Sequence, residues 1–145
     1  FNDKKRTSAI VSLCSLLNIL LPESQPNKKI YNLFETFIEN ISLDNWIYLY
    51  IFFEINLIKE LGFGTNLKEY AKLVEKNRSF IEIKLDNFKY EVPVFLIKEN
   101  IPNEISEQTI KKSLFFTRHL LLNKSFLPNN LIFSKSRIIF ENYFN

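Results

Sequence analysis

Lys111, Phe115, Arg118 and Leu122 are spaced four, three and four residues apart, so on a helix they form one line in which cations and apolar groups alternate. Such a line suits a peptide that is both acidic and hydrophobic, because charge steers the approach and apolar burial retains the bound state. The same spacing also describes a boundary stripe whose Lys and Arg stems lie along the edge of a core, and the sequence leaves both readings open. Further on, Ser134-Lys135-Ser136-Arg137 sets two cations beside the free N–H groups of a helix start. That arrangement can hold phosphate or carboxylate, or can be two hydroxyl caps with solvated neighbours. A third feature is Glu54, a carboxylate inside the most apolar run of the chain. It reads either as a desolvated acid of raised pKa or as an acid paired with a backbone group, a tyrosine or a basic residue from another element.

Catalytic chemistry has little to draw on. His119, the one histidine, has no cysteine near it in sequence, and there is no glycine-rich phosphate loop and no acid pair at a working spacing. The expectation is a protein that works by binding, not an enzyme, with no cofactor. Cys14 stands alone and cannot close an internal disulfide; one cysteine and one histidine cannot build a four-ligand Cys/His zinc site, so no metal is expected. This cysteine usage fits the cytoplasm.

These side chains need a scaffold, and the periodicity describes one. Ile10, Leu13, Cys14, Leu17, Leu20 and Leu21 recur at helical spacing between Thr7 and Leu21, with Ser8, Ser12 and Ser15 on the opposite face and Pro22 closing the segment. A second helix follows Pro26 with the stripe Ile30, Phe34, Phe37, Ile38 and Ile41, and the short loop Glu23 to Asn27 predicts an antiparallel pair. A third, from about Asn45 to Leu61 with Ser42 or Asp44 as cap, is apolar almost all round and reads as the buried centre of a bundle. Gly62 and Gly64, the only glycines, are expected at positive φ. After a short helical or irregular piece, Leu67 to Val74, the period changes to two: Ile81, Ile83 and Leu85, a turn at Asp86-Asn87, then Phe88, Tyr90 and Val92. This predicts a β-hairpin, within a subdomain at about 75–95, projecting from the helical body. Pro93 and Pro102 bracket a connection. Ser106 then caps a helix from about Glu107 to Asn123, with Ile110, Leu114, Thr117 and Leu121 as its core line, and Ser134 caps a last one to about Phe144. The fold class is mainly α, a helical bundle with a small β-hairpin insertion.

Composition bounds the rest. With 145 residues, 46% of them apolar and 24% charged, the chain is of ordinary globular make-up. The net charge of +3 is mild, and the abundance of Ile, Asn, Lys, Phe and Tyr has the look of an AT-rich genome. The basic excess belongs to the second half: residues 67–145 hold 13 Lys/Arg against 9 Asp/Glu, whereas residues 1–66 hold 6 against 7. Lys4-Lys5-Arg6 ahead of the apolar run Ala9 to Leu21 has the outline of a signal peptide, but Ser12, Ser15 and Asn18 break the run, so the basic triplet reads as a terminal tail. Trp46 to Ile58 is shorter than the roughly 20 residues that span a bilayer, and no membrane association is expected. The chain starts at Phe1 and contains no methionine, which reads as a fragment of a longer protein.

The run Phe53-Glu54-Ile55-Asn56-Leu57-Ile58-Lys59-Glu60-Leu61-Gly62-Phe63-Gly64 closely resembles a segment of the bacterial RecO family that reads F-E-L-x-L-L-x-x-L-G-Y/F-G in α-proteobacterial members. Leu17, Leu20, Leu21, Pro22 and Glu23, then Val92-Pro93-Val94-Phe95-Leu96, then Leu131 to Phe140 fall in the family's order, and Lys135-Ser136-Arg137 followed by Ile138-Ile139 is similar to its K-S-R-x-L/F. The resemblance spans nearly the whole chain and implies the C-terminal helical domain of such a protein, residues 1–145, without the N-terminal OB-fold that the family carries.

It also implies a role in DNA repair and recombination. Family members bind single- and double-stranded DNA, the acidic, phenylalanine-terminated tail of the single-strand-binding protein, and RecR, assisting RecA loading and strand annealing. That tail-binding or DNA-binding role maps onto Lys111, Phe115, Arg118, Lys135 and Arg137. Some members hold zinc through cysteines that begin just after the glycine turn; here Tyr70 stands at the first such place, and the hairpin residues Ile81, Ile83, Phe88 and Tyr90 are expected to replace that metal-stapled lobe. The competing expectation is a helical interaction scaffold or effector domain with no nucleic-acid role.

Overall fold

Asp3 opens the first helix, α1 (Lys4–Leu20), by accepting from the backbone N–H groups of Lys5 and Arg6. In this computed structural model, which describes residues 3–23, 27–63 and 66–145, the helix starts three residues earlier than its apolar period indicates, and Lys4-Lys5-Arg6 forms its first turn instead of a tail. Arg6 is built into the fold: its Nε donates to the Ile41 carbonyl at 2.7 Å, its Nη2 to the Leu43 carbonyl at 3.2 Å, and it pairs with Asp3. It also lies 5.4 Å from the centre of the Trp46 ring.

The buried face of α1 is Ala9, Ser12, Leu13 and Leu16, and Cys14 is exposed. The face is therefore rotated from the one expected. The reason is that the serines have partners inside: Ser12 Oγ shares a hydrogen bond with the Tyr50 hydroxyl at 2.8 Å, and Ser15 Oγ with Ser134 Oγ at 2.8 Å. A hydroxyl with an internal partner does not need the solvent face.

α2 (Lys28–Glu39) is capped by Asn27 and buries Ile30 and Phe37, with Phe34, Ile38 and Ile41 packed at the core's edge. Residues 24–26 of the preceding loop lie outside the described residues. α2 rests on α3, and α1 has its most extensive contact with α6.

α3 (Trp46–Ile58) is the centre of the core, buried on nearly every side from Trp46 to Ile58. Asn45 occupies the cap position without a capping side-chain bond, so neither Ser42 nor Asp44 serves there. The helix widens into one turn over Lys59–Phe63, where Gly62 takes φ +87°; Gly64 lies outside the described residues. Leu67–Leu73 forms a short tight helix.

β1 (Phe80–Leu85) and β2 (Phe88–Pro93) pair antiparallel in the expected register, with Ile81 opposite Val92, Ile83 opposite Tyr90 and Leu85 opposite Phe88. Asp86 and Asn87, at φ +47° and +72°, make the two-residue turn that matches strand twist. The hairpin does not project. β2 lies along α5, with Tyr90 edge-on to Phe116 at 5.2 Å and Lys112 and Lys124 paired to Glu91 and Asp86.

The connection between the prolines holds a short helix, α4 (Val94–Lys98), that ends on Glu99 at φ +55°. Its Phe95, Leu96 and Ile97 are buried. α5 (Glu107–Leu121) begins at the Ser106 cap, and the Tyr48 hydroxyl ties this start to α3 by accepting from Ser106 N and donating to the Glu104 carbonyl. The expected core line Ile110, Leu114, Thr117 and Leu121 is buried. α6 (Lys135–Asn142) follows the Ser134 cap and lays Phe140 against Tyr50, ring centres 4.4 Å apart.

Candidate functional site

The ionisable residues of α3, α5 and α6 meet in one chain of contacts that runs from the core to the surface. Its inner end is Glu54, wholly buried. Glu54 accepts from Tyr50 at 2.8 Å, from Thr117 at 2.7 Å, and from Arg137 through Nε at 2.5 Å and Nη2 at 3.0 Å. Of the two readings of Glu54, the structure realises the paired one.

Arg137 is equally buried, with 0% of its side chain exposed. Besides Glu54 it donates to the Leu114 carbonyl at 3.1 Å and to Glu141 at 2.8 Å. Burial works against its charge, but the Glu54 carboxylate, with Glu141 behind it, more than offsets burial and holds the guanidinium above its ordinary value. Tyr50 is shifted upward by burial and by the same carboxylate, so it stays a neutral donor. At the start of α6 the structure realises the hydroxyl-cap reading: Ser134 is buried, caps Arg137 N and is bonded to Ser15, and Arg137 has every nitrogen engaged. A free surface arginine at that position is corrected to a core ion pair.

Glu141 links this pair to the outside. Its Oε1 accepts from Arg137 Nη1 and from Arg118 Nε at 2.9 Å, so two cations and two carboxylates form a neutral group whose outermost member is Arg118. Glu141 was not singled out from the sequence; its signal is the i, i+4 spacing from Arg137 on a short helix whose buried side also carries Phe140.

Arg118, with 31% of its side chain exposed, lies at the junction of two clefts. One, of about 320 Å³, runs between α5 and α6 and is lined by Arg118, Leu122, Phe133, Ile138, Glu141 and Asn142. The other lies between β2 and α5 and includes Lys111 and Phe115. The Phe115 ring stacks on His119 at 4.2 Å and lies under the Arg118 guanidinium at 5.2 Å. The structure thus brings Lys111, Phe115 and Arg118 together. Lys135 is exposed at the start of α6 and lines neither cleft.

His119 is partly covered between Tyr90 and Phe115. Burial and the Arg118 charge hold its pKa below the ordinary 6.5, with Glu141 opposing. The folded state favours the neutral ring, so this contribution to stability is complete above about 6.5 and is lost as pH falls through and below that value. His119 is the one histidine. The midpoint temperature of thermal unfolding should therefore fall between pH 7.5 and 5.5 in the natural chain and show a flatter profile in His119→Phe; equal slopes would contradict the assignment.

The pattern that defines the family described as "Recombination protein O C terminal" matches residues 2–81, more than half of the chain. The chain belongs to this family. Among relatives of the RecO C-terminal chain, the DNA repair protein RecO of Wolbachia sp. subsp. Drosophila simulans (strain wRi) is 30% identical over 94% of this chain and 65% of its own length. That of Ehrlichia chaffeensis (strain ATCC CRL-10679 / Arkansas) is 30% identical over 85% of this chain and 59% of its own. The RecO of Rhodospirillum centenum (strain ATCC 51521 / SW) is 31% identical over 48% of this chain. The chain thus spans less than two thirds of the length of these RecO relatives. No solved structure matches it. Two of the segments that carry the RecO resemblance, the run from Phe53 to Gly64 and Lys135-Ser136-Arg137, supply the two halves of the buried ion pair, Glu54 and Arg137. Among the described residues no helix is long and apolar enough to cross a membrane.

Proposed function

We propose that this chain is a DNA repair and recombination mediator module that works by binding, without turnover. It takes the acidic, phenylalanine-terminated tail of a single-strand-binding protein in the α5–α6 groove, contacts DNA through its basic second half, and joins RecR in assisting RecA loading and strand annealing in the cytoplasm. The observation that carries this reading is the groove itself: an apolar lining of Leu122, Phe133 and Ile138 shared with the Arg118 guanidinium, in a chain of the RecO family. An apolar terminal ring packs on such a lining, while the carboxylates beside it meet Arg118. The neighbouring Lys111 and Phe115 extend the contact surface along α5, and Lys135 adds charge from α6.

The Glu141 carboxylate already holds Arg118 Nε. An incoming carboxylate would have to use the remaining guanidinium N–H groups, so binding of moderate strength is expected. The reading is tested by fluorescence anisotropy with a labelled acidic peptide ending in Asp-Ile-Pro-Phe. Saturable binding that weakens from low to moderate salt supports it; failure of the folded chain to bind leaves a helical interaction scaffold as the better account.

A further inference from the structure

α1 and α6 pack antiparallel: Ser15 meets Ser134 at one end of the pair, and Lys5 lies over the Phe144 ring at the other. On their outer side they leave an open groove of about 410 Å³. Thr7, Ser8 and Ser136 line it with small side chains, and Val11, Ile139 and Tyr143 stand along it at 50%, 56% and 41% exposure. These three do not close the core, which takes Ala9, Leu13 and Leu16 from α1 and Phe140 from α6 instead. The groove lies on another side of α6 from Ile138, which lines the α5–α6 groove.

The spacing of the lining residues is that of a seat for a helix. Thr7 and Val11 on α1, and Ser136, Ile139 and Tyr143 on α6, recur at intervals of three and four, so each helix contributes one continuous ridge. A third helix laid between the ridges can approach closely, because Thr7, Ser8 and Ser136 take little room.

The charge beside the groove is one-sided. Lys4 lines it and Lys5 follows, whereas Asp3, the acid that lines it, is held by Arg6 and by the backbone of the helix start. α1 contains no acid, and Glu141, the one acid of α6, is engaged by Arg118 and Arg137. A second copy of this chain would therefore bring no free carboxylate of its own α1–α6 face to Lys4 and Lys5. An apolar stripe flanked by acids supplies both the burial and the counter-charge.

We infer that the α1–α6 groove docks an amphipathic helix of a protein partner, with the partner's apolar stripe on Val11, Ile139 and Tyr143 and its acids beside Lys4 and Lys5. The site is separate from the α5–α6 groove and does not depend on the peptide reading given for it.

The probe is a labelled synthetic helix of about 18 residues, long enough to hold helical structure, with leucine and alanine on one face and glutamate on the rest. Its counterpart carries lysine in place of glutamate. The acidic helix should bind the natural chain saturably, with an affinity that falls with salt, and the lysine helix should not bind. Ile139→Glu should raise Kd for the acidic helix about tenfold at an unchanged thermal transition, whereas Ile138→Glu should leave it unaltered. Lys4→Glu should abolish the preference for the acidic helix over its lysine counterpart. Cys14, exposed and seven residues beyond Thr7 on the same face of α1, gives a second reading: the bound helix should slow its alkylation by iodoacetamide. Equal binding of the two helices, no binding of the acidic one, or a folded Ile139→Glu chain that binds it as tightly as the natural chain would overturn the inference. So would a concentration-dependent dimer in sedimentation that Ile139→Glu abolishes, since a second copy would then hold the groove. Displacement of the helix by the acidic, phenylalanine-terminated peptide would move it to the α5–α6 groove and overturn this site while leaving the peptide reading in place.

Discussion

Arg137→Met should lower the unfolding free energy by about 3–5 kcal/mol, because it leaves the Glu54 carboxylate buried without its cation. Glu54 would keep only the Tyr50 and Thr117 hydroxyls, which cannot replace two guanidinium bonds at 2.5 and 3.0 Å. The companion variant Glu54→Leu/Arg137→Met should recover most of that loss. In it Tyr50 retains Ser12, Thr117 retains the Leu114 carbonyl, and Glu141 retains Arg118. Chemical denaturation of the two single variants and the double variant gives the coupling directly. A double variant that loses the sum of the single losses would show that the pair is not the unit described, and a cost below about 1 kcal/mol for Arg137→Met would show that Arg137 does not sit where the structure puts it.

The second large effect concerns the groove. Arg118→Glu should weaken binding of the acidic, phenylalanine-terminated peptide by about 2 kcal/mol, roughly thirtyfold, by removing the cation and setting a new carboxylate beside Glu141. Ile138→Glu should do the same from the apolar side. Ile138 is 43% exposed and lines the groove without entering the core, so its replacement should leave the thermal transition nearly unchanged. The two variants separate steering from retention: Arg118→Glu should also flatten the salt dependence, whereas Ile138→Glu, which disrupts the apolar lining, should lower affinity at every salt concentration. Variants that keep full peptide affinity would remove the tail from this groove. Charge reversal at Arg137 is not an equivalent experiment, since it would break the core instead of probing a surface.

What the sequence disclosed and what it concealed follow one division. Elements whose pattern depends on near neighbours were legible: the Ser106 and Ser134 caps, the core line of α5, the register of the hairpin and its Asp86-Asn87 turn. Each is decided by bonds or periods within a few residues. The features misread depend on partners far away in the chain. Ser12 and Ser15 look solvent-facing until Tyr50 and Ser134 are brought to them. Arg137 looks like a surface cation at a helix start until Glu54, 83 residues earlier, reaches it. Arg6 looks like part of a terminal tail until the turn after α2 presents the Ile41 carbonyl. In each case a polar side chain was judged by its own chemistry, while its position was set by a long-range partner that satisfies it.

The candidate site divides in the same way. Lys111, Phe115 and Arg118 share a stripe because helical spacing puts them there, and that was readable. The lining supplied by Phe133 and Ile138, and the hold of Glu141 on Arg118, require α6 to lie beside α5, which no local pattern states.

The most direct measurement is anisotropy of the acidic peptide with and without its terminal phenylalanine, against the natural chain and Ile138→Glu, at two salt concentrations. The account predicts binding that salt weakens, that falls sharply when the terminal phenylalanine is removed, and that loses its dependence on that residue in Ile138→Glu. Equal binding of both peptides, or equal loss on removing the phenylalanine in the two proteins, would contradict it.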